Sequence, residues 1–246
     1  MDIHQAGGPA IRLQYMKAFA RLEGWQALDR TFRFDYVVMD RRRHARTALL
    51  DVLDADTTWT LVFVDDAAAL YVRRAGPLAA VAARFAYRQI PGGVAGLGPL
   101  GMAVAADSAV RRQVESELQR QIADSPWHAG ALSLLANLAL MDGRYADARA
   151  ILAQGLAIQP TLGLGHQRLG MIDLEEARTR EALREFDHER LLGGDRPGVA
   201  LLIGSAWRRL GDASRARDWY RRELKVDPGS SAAAESLAAV DRRSTP

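Results

Sequence analysis

The chain has 246 residues, of which 48% are hydrophobic and 26% charged, and its formal net charge at pH 7 is +3. These values are ordinary for a soluble globular protein and leave room for one large or two medium-sized domains. The sequence contains no cysteine, which excludes disulfides, thiolate metal sites and cysteine nucleophiles. The small net charge argues against nucleic acid as the main partner.

No segment approaches the roughly 20 consecutive apolar residues that a membrane helix needs, so we expect no membrane span. The first residues, MDIHQAGG, show no basic stretch followed by an apolar run, and we therefore expect no signal peptide. These features predict a soluble chain, which would be cytoplasmic unless it forms the extracytoplasmic tail of a membrane protein.

The first 106 residues alternate between helical and extended patterns and predict a small α/β domain. A helix over 11–28 is expected to bury Leu13, Met16, Ala20 and Trp25, and a buried strand is expected over 34–40. The further predicted elements are a helix over 41–53, strands over 59–65 and 69–74, a helix over 77–87, and a Gly/Pro-rich linker over 91–106. The order predicts that the first two strands run parallel and that the last two form a hairpin.

Three phrases of this region, FDYVVMDR, W-LVFVDDAAALYVRR and Y-IP, resemble the soluble tail of certain bacterial polytopic membrane proteins. Those proteins are similar to lipid-linked-sugar glycosyltransferases, and the resemblance covers roughly residues 10–95. It implies an extracytoplasmic regulatory domain associated with a membrane protein. No catalytic residue is carried over, because the acidic residues of such enzymes lie in their membrane portion.

The second half of the chain repeats with a period of 34 residues. Three sets of equivalent positions show it: Pro126, Pro160, Gly194 and Pro228; Ala148, Ala182 and Ala216; Leu152, Phe186 and Tyr220. A fixed period of this length indicates stacked supersecondary units that bury their apolar faces against each other. The predicted units are 129–162, 163–196 and 197–230.

This pattern resembles the tetratricopeptide repeat, a pair of antiparallel helices with small residues at its eighth and twentieth positions. The resemblance implies a right-handed helical solenoid over 107–246, with three full repeats and flanking helices. An amphipathic helix over 107–124 occupies the second-helix position of an incomplete repeat, and a helix over 231–241 is expected to cap the array with a polar outer face.

The resemblance also implies that the first helices of the repeats line a concave peptide-binding groove. The residues expected there are Asn137, Leu140, Gln167, Arg168, Met171, Leu174, Leu201, Ser205, Arg208 and Arg209. Their mixture of apolar and Arg side chains favours a protein or peptide partner with an acidic end. The carboxylate clamp of chaperone-binding family members is absent, since only Asn137 matches it. A second interpretation is that the chain's own N-terminal region fills the groove.

Two further patterns could indicate a chemical function. Gly96, Gly98 and Gly101 have the spacing of a dinucleotide-binding loop, but no strand precedes them, and a linker is favoured. Asp65 and Asp66, with Asp54 and Asp56 nearby, could hold a cation, although aspartates at a hairpin turn usually serve the turn itself.

The basic run Arg41-Arg42-Arg43 follows a predicted strand and opens a helix, where it could bind an anion. His166 is expected in the core, and the consecutive Asp187, His188 and Glu189 cannot converge on one ligand because they lie on different sides of a helix.

With no cofactor, metal or catalytic set indicated, the sequence predicts a non-catalytic protein-interaction scaffold. The alternative is the regulatory domain of a glycosyltransferase-like membrane protein.

Overall fold

A computed structural model describes residues 8–44 and 47–243. The chain divides into two compact units, Met1–Ala131 and Leu132–Pro246. The proposed start of the repeat array near residue 107, drawn from the sequence period, stays a prediction.

The first unit combines short helices with one small sheet. Its elements are α1 (Pro9–Ala20), α2 (Leu22–Phe32), β1 (Tyr36–Asp40), α3 (Arg41–His44), α4 (Ala48–Ala55), β2 (Trp59–Val64), β3 (Ala68–Arg73), α5 (Ala79–Phe85), α6 (Leu97–Ala106) and α7 (Ser108–Asp124). Helix α8 (Ala129–Met141) begins at the end of this unit. The predicted strands are all present, each within one or two residues of its expected bounds.

The sheet has the strand order β1-β3-β2, and β3 pairs antiparallel with both neighbours. The predicted hairpin of β2 and β3 is confirmed. Strands β1 and β2 run in the same direction, as expected, but they are not paired because β3 lies between them. All the strand pairings of the sheet are therefore antiparallel.

The core of this unit is built on β2, β3 and α4. Trp59, Tyr71, Leu50 and Leu53 are each at most 1% exposed. Strand β1, in contrast, was wrongly expected to be buried, since among its residues only Met39 is buried. Because alternate side chains of a strand point to opposite faces, the residues flanking Met39 belong to an uncovered face of this edge strand.

The predicted helix over 11–28 is two helices, because Arg21 adopts an extended conformation between α1 and α2. Trp25 is buried as expected, whereas Leu13 and Met16 are 56% and 61% exposed, which contradicts their expected burial. The side chain of Ala20 lies outside the described part of the chain. A Cβ atom at Gly24 would overlap the Lys17 carbonyl, so the tight joint between the helices depends on this glycine.

The segment expected to be a linker is ordered and contains α6. Pro99 is the third residue of that helix, where its missing N–H would have no partner in any case. The loop before α6 is held by carboxylates from other elements. Glu117 accepts hydrogen bonds from the backbone N–H of residues 88, 89 and 90, and Asp54 accepts them from residues 92 and 93.

The second unit consists of successive helices that form pairs. After α8 come α9 (Tyr145–Ile158), α10 (Gly165–Glu175), α11 (Thr179–Gly193), α12 (Val199–Arg209), α13 (Ala213–Val226) and α14 (Ser231–Arg243). One helix pair lies within each of 129–162, 163–196 and 197–230, and α14 follows them. The division into these repeats with a capping helix stays a prediction. The handedness of the array stays a prediction.

Small residues at equivalent positions allow the two helices of a pair to approach closely. A Cβ atom at Gly170 would overlap the ring of Phe186, and one at Gly204 would lie 2.6 Å from the ring of Tyr220. The alanines of the same pairs, Ala182 and Ala216, are completely buried. These contacts confirm the physical reason for the repeated small residues.

Candidate peptide-binding site

The residues expected in the groove lie on the first helices of the repeats, α8, α10 and α12, but the structure divides them into two sets. Met171 is 40% exposed, and Met141, the last residue of α8, is 41% exposed. Asn137, Gln167 and Ser205 are partly exposed. Arg208 and Arg209 are exposed at the end of α12. We define Asn137, Met141, Gln167, Met171, Ser205 and Arg208 as the first-helix face.

The expected groove leucines instead contribute to the interior. Leu174 is only 6% exposed and belongs to a cluster with Phe186 and Ile203. Leu140 packs against the core of the first repeat, and Leu201 packs against the cluster of Ala216, Tyr220 and Val240. Leu174 is therefore not available to a ligand, because the next repeat already covers it.

Arg168 joins two neighbouring repeats. Its Nη1 donates a hydrogen bond of 2.6 Å to Oγ of Ser133, which lies on the first helix of the preceding repeat. Burial lowers the pKa of Arg168, and the carboxylate of Glu189 opposes this shift. This guanidinium stabilises the stacking of α8 and α10.

The two arginines at the end of α12 have different surroundings. Arg209 donates to the carbonyl of Leu174 and pairs with Glu175 at 3.9 Å, so it satisfies the C-terminal end of α10. The side chain of Arg208 is exposed, and it forms no hydrogen bond or ion pair with a described residue. Of the two, Arg208 therefore has the guanidinium that is not already engaged by the fold.

Two buried glutamates, which the sequence interpretation missed, hold the first helices in place. Glu189 and Glu223 are separated by one period and are 2% and 1% exposed. Glu189 accepts from the backbone N–H of residues 164 and 167, and Glu223 accepts from the N–H of residues 198 and 201. Each carboxylate therefore caps the N-terminus of the first helix in its own repeat. Their 34-residue spacing was the signal that could have identified them.

The first repeat has Gly155 at the equivalent position and uses another acid. Gly130 N, which corresponds to the capped N–H groups of the later repeats, donates to Oδ2 of Asp66 at 3.2 Å. The other oxygen of Asp66 lies 3.1 Å from Nε2 of the buried His128. Burial raises the pKa of Asp66, but His128, the Gly130 N–H and Arg41 outweigh it, so that the pKa lies below its ordinary value.

The four aspartates considered for a cation do not converge. Oδ1 of Asp65 accepts from the backbone N–H of residues 67 and 68, which is turn chemistry. Asp54 accepts from the hydroxyl of Tyr71, at 2.6 Å, and from the N–H groups before α6, while Asp56 binds Thr58. These carboxylates are therefore engaged in hydrogen bonds within the fold.

The basic run 41–43 also begins with a side chain that bonds within the fold. Nη1 of Arg41 donates to the carbonyl of Asp65 at 2.6 Å and thus supports the β2–β3 turn. Arg42 is exposed, and the side chain of Arg43 lies outside the described residues. Helix α3 has only four residues, which gives little helix dipole to attract an anion. Arg41 is therefore a turn-stabilising residue, and an anion site at this run stays a prediction.

A concavity of about 610 Å³ lies in the first unit between β2, α5 and the loop that precedes α6. Its walls include Trp59, Thr60 and Arg74. Arg74 is engaged with the carbonyl of Trp59 at 3.0 Å, whereas Trp59 Nε1 and Thr60 Oγ1 have no hydrogen-bond partner among the described residues.

Among the described residues, no helix is both long and apolar enough to cross a membrane.

The helix pairs define a helical repeat protein in the second half of the chain. A family model described as tetratricopeptide repeat matches residues 112–162 and ends at the last residue of the first predicted unit. This segment is therefore similar to the tetratricopeptide repeat, as expected. The phrases that resemble glycosyltransferase-like membrane proteins lie outside this match, and that resemblance stays a prediction.

Comparison with solved structures agrees with this fold. A structure of MamA (residue 41 to the end) from Desulfovibrio magneticus RS-1 is 13% identical, covers 59% of this chain and 82% of its own, and has a TM-score of 0.51. Another MamA structure is 14% identical over 61% of this chain and 83% of its own, with a TM-score of 0.49. The first TPR of Spaghetti (RPAP3), bound to the HSP90 peptide SRMEEVD, is 17% identical over 47% of this chain and 91% of its own, with a TM-score of 0.45. No curated protein matches the chain.

Proposed function

We propose that this protein is a non-catalytic scaffold that binds a peptide segment of a partner protein on its first-helix face. The observation that carries the proposal is the exposure of Met141, Met171 and Arg208 on the first helices of three successive repeats. Tetratricopeptide-type helical repeats present extended concave surfaces, which suit elongated ligands. The family match over residues 112–162 supports this class of function.

The chemistry of the first-helix face favours a ligand that is apolar along its length and acidic at one end. The thioethers of Met141 and Met171 are flexible and polarisable, so they adapt to apolar side chains of different shape. Asn137 and Gln167 carry amides that can bond to a peptide backbone. Arg208 can pair with a carboxylate, and it needs no rearrangement of the fold to do so.

The test begins with selection of peptides from a random library on the full chain. Binding of selected peptides is then measured by fluorescence anisotropy for the wild type and for the variants Met171→Asp and Arg208→Glu. We expect each variant to weaken binding at least about tenfold, since it places a charge against an apolar or an acidic ligand group.

The matched control is Arg221→Glu, which makes the same charge change on an exposed residue of the second helix α13. It is expected to leave the affinity unchanged. Equal losses in Arg208→Glu and Arg221→Glu would mean that only the overall charge matters. Unchanged affinity in both Met171→Asp and Arg208→Glu would overturn the assignment of the site to this face.

A further inference from the structure

Helices α10 and α11 bring two imidazoles and a carboxylate together. Nδ1 of His166 lies 2.7 Å from Oε2 of Glu185, and the rings of His166 and His188 meet edge to face with centroids 5.1 Å apart. One ligand atom from each of the three residues lies within 4.8 Å of the others. His166 was expected in the core, but its side chain is 19% exposed and faces this group.

The backbone holds these residues in place by packing that does not involve them. Glu185 and His188 are three residues apart on α11, so they lie on one face of that helix. Phe186, between them, is completely buried and packs against Gly170, one turn after His166 on α10. Since that contact has no room for adjustment, the spacing of the two helices is determined by the core.

We propose that His166, Glu185 and His188 bind a divalent transition-metal ion, with Zn²⁺ as the ion best suited to the set. Two imidazole nitrogens and one carboxylate oxygen are ligands that such ions prefer, whereas Ca²⁺ and Mg²⁺ prefer all-oxygen sites. In a tetrahedral site with ligand bonds of about 2.0–2.1 Å, ligand atoms lie about 3.4 Å apart. The exposed His188 can close the remaining distance by rotating its side chain. Three protein ligands leave the fourth position to water.

The neighbouring charges do not oppose a cation. The site adjoins a surface concavity whose lining includes Arg149, Arg178 and Arg184. Arg149 and Arg178 pair with the two carboxylates of Asp173 and Glu176, and Arg184 pairs with Glu181. Because each of these guanidinium groups is balanced by a carboxylate, a metal ion at the site meets little net repulsion.

The experiment is titration of ZnCl₂ into the full chain, prepared without a histidine tag, by isothermal calorimetry. We expect one Zn²⁺ per chain in the wild type and binding at least about tenfold weaker in His188→Ala and Glu185→Gln. Absorption spectroscopy with CoCl₂ gives a second readout, since a tetrahedral N/O site produces visible bands that an octahedral aquo ion lacks. These bands should disappear in both variants.

The matched control is His44→Ala, which removes a histidine outside the group and should leave binding unchanged. His188 is exposed, so His188→Ala is expected to keep the wild-type circular dichroism and melting temperature without metal. Absence of saturable Zn²⁺ binding by the wild type would overturn the proposal and show an ordinary His–Glu pair. Wild-type affinity in both His188→Ala and Glu185→Gln, or loss in His44→Ala, would overturn it as well.

Discussion

The two units of this chain satisfy their backbone in different ways. In the helix pairs of the second unit, a buried glutamate of each later repeat caps a helix of the same repeat, 22 to 25 residues away. In the first unit, Glu117 and Asp54 bind N–H groups of the loop before α6, 27 to 39 residues away and in no repeating pattern. Because its packing is regular, the second unit can be predicted from the period of the sequence. The first unit depends on individual long-range hydrogen bonds.

The largest expected effect comes from the helix-pair contact. Gly170→Leu places a side chain where even a Cβ atom overlaps the ring of Phe186. We expect a loss of about 3 kcal/mol in the free energy of unfolding, measured by urea denaturation with circular dichroism.

The matched control is Gly101→Ala in α6, where no atom lies within 4 Å of the added Cβ. This variant should gain about 0.5–1 kcal/mol from helix propensity and reduced unfolded-state entropy. If Gly170→Leu were as stable as the wild type, the close approach of α10 and α11 would not be what positions the pair.

An intermediate effect is expected for the loop before α6. Glu117→Ala removes the acceptor of three backbone N–H groups, and we expect a loss of about 1–2 kcal/mol. Amide hydrogen exchange of residues 88–90 should accelerate, while exchange within α12 and α13 stays unchanged. The control is Glu235→Ala, an exposed glutamate of α14. Unchanged protection at residues 88–90 in Glu117→Ala would contradict the carboxylate-held loop.

The smallest effect is a pH dependence at Asp66. Since the pKa of Asp66 is lowered in the folded state, its carboxylate adds stability above its ordinary pKa of 3.8, and this contribution is lost as the pH falls through the folded pKa. Asp66→Asn should therefore cost about 0.5–1 kcal/mol at pH 7, a value reduced by solvent screening of the half-exposed side chain.

The measurement for Asp66 is urea denaturation at pH 7 and at pH 3. The difference between Asp66→Asn and the wild type should shrink at the lower pH. A difference that is the same at both values would show that the charge of Asp66 contributes nothing and that only its shape matters.

The sequence predicted most of the second unit because its constraints recur. Ala182 and Ala216, or Gly170 and Gly204, can be recognised by their spacing, and each is needed to let two helices touch. The predicted groove was less accurate. Whether Leu174 or Arg209 faces a ligand depends on an adjoining repeat. The following repeat covers the leucine, and the preceding repeat engages the arginine, so no single repeat contains that information.

The first unit was predicted in outline but not in detail. Its strands follow from their composition, yet the place of β3 between β1 and β2 depends on pairing that composition does not encode. The segment 91–106 resembles a linker because it is rich in glycine and proline. It is ordered because Asp54 and Asp51 bind its N–H groups, which are contacts between residues distant in sequence.

By itself, the sequence determined the period, the helix pairs and the strands, because each depends on interactions between neighbouring or regularly spaced residues. The tertiary structure decided which polar groups are already engaged. It buried Leu174 away from a ligand, bonded Arg168 to Ser133, left Arg208 exposed, and brought His166 to Glu185 and His188. Burial and hydrogen bonding are properties of three-dimensional neighbourhoods, and those neighbourhoods form only when the helices pack.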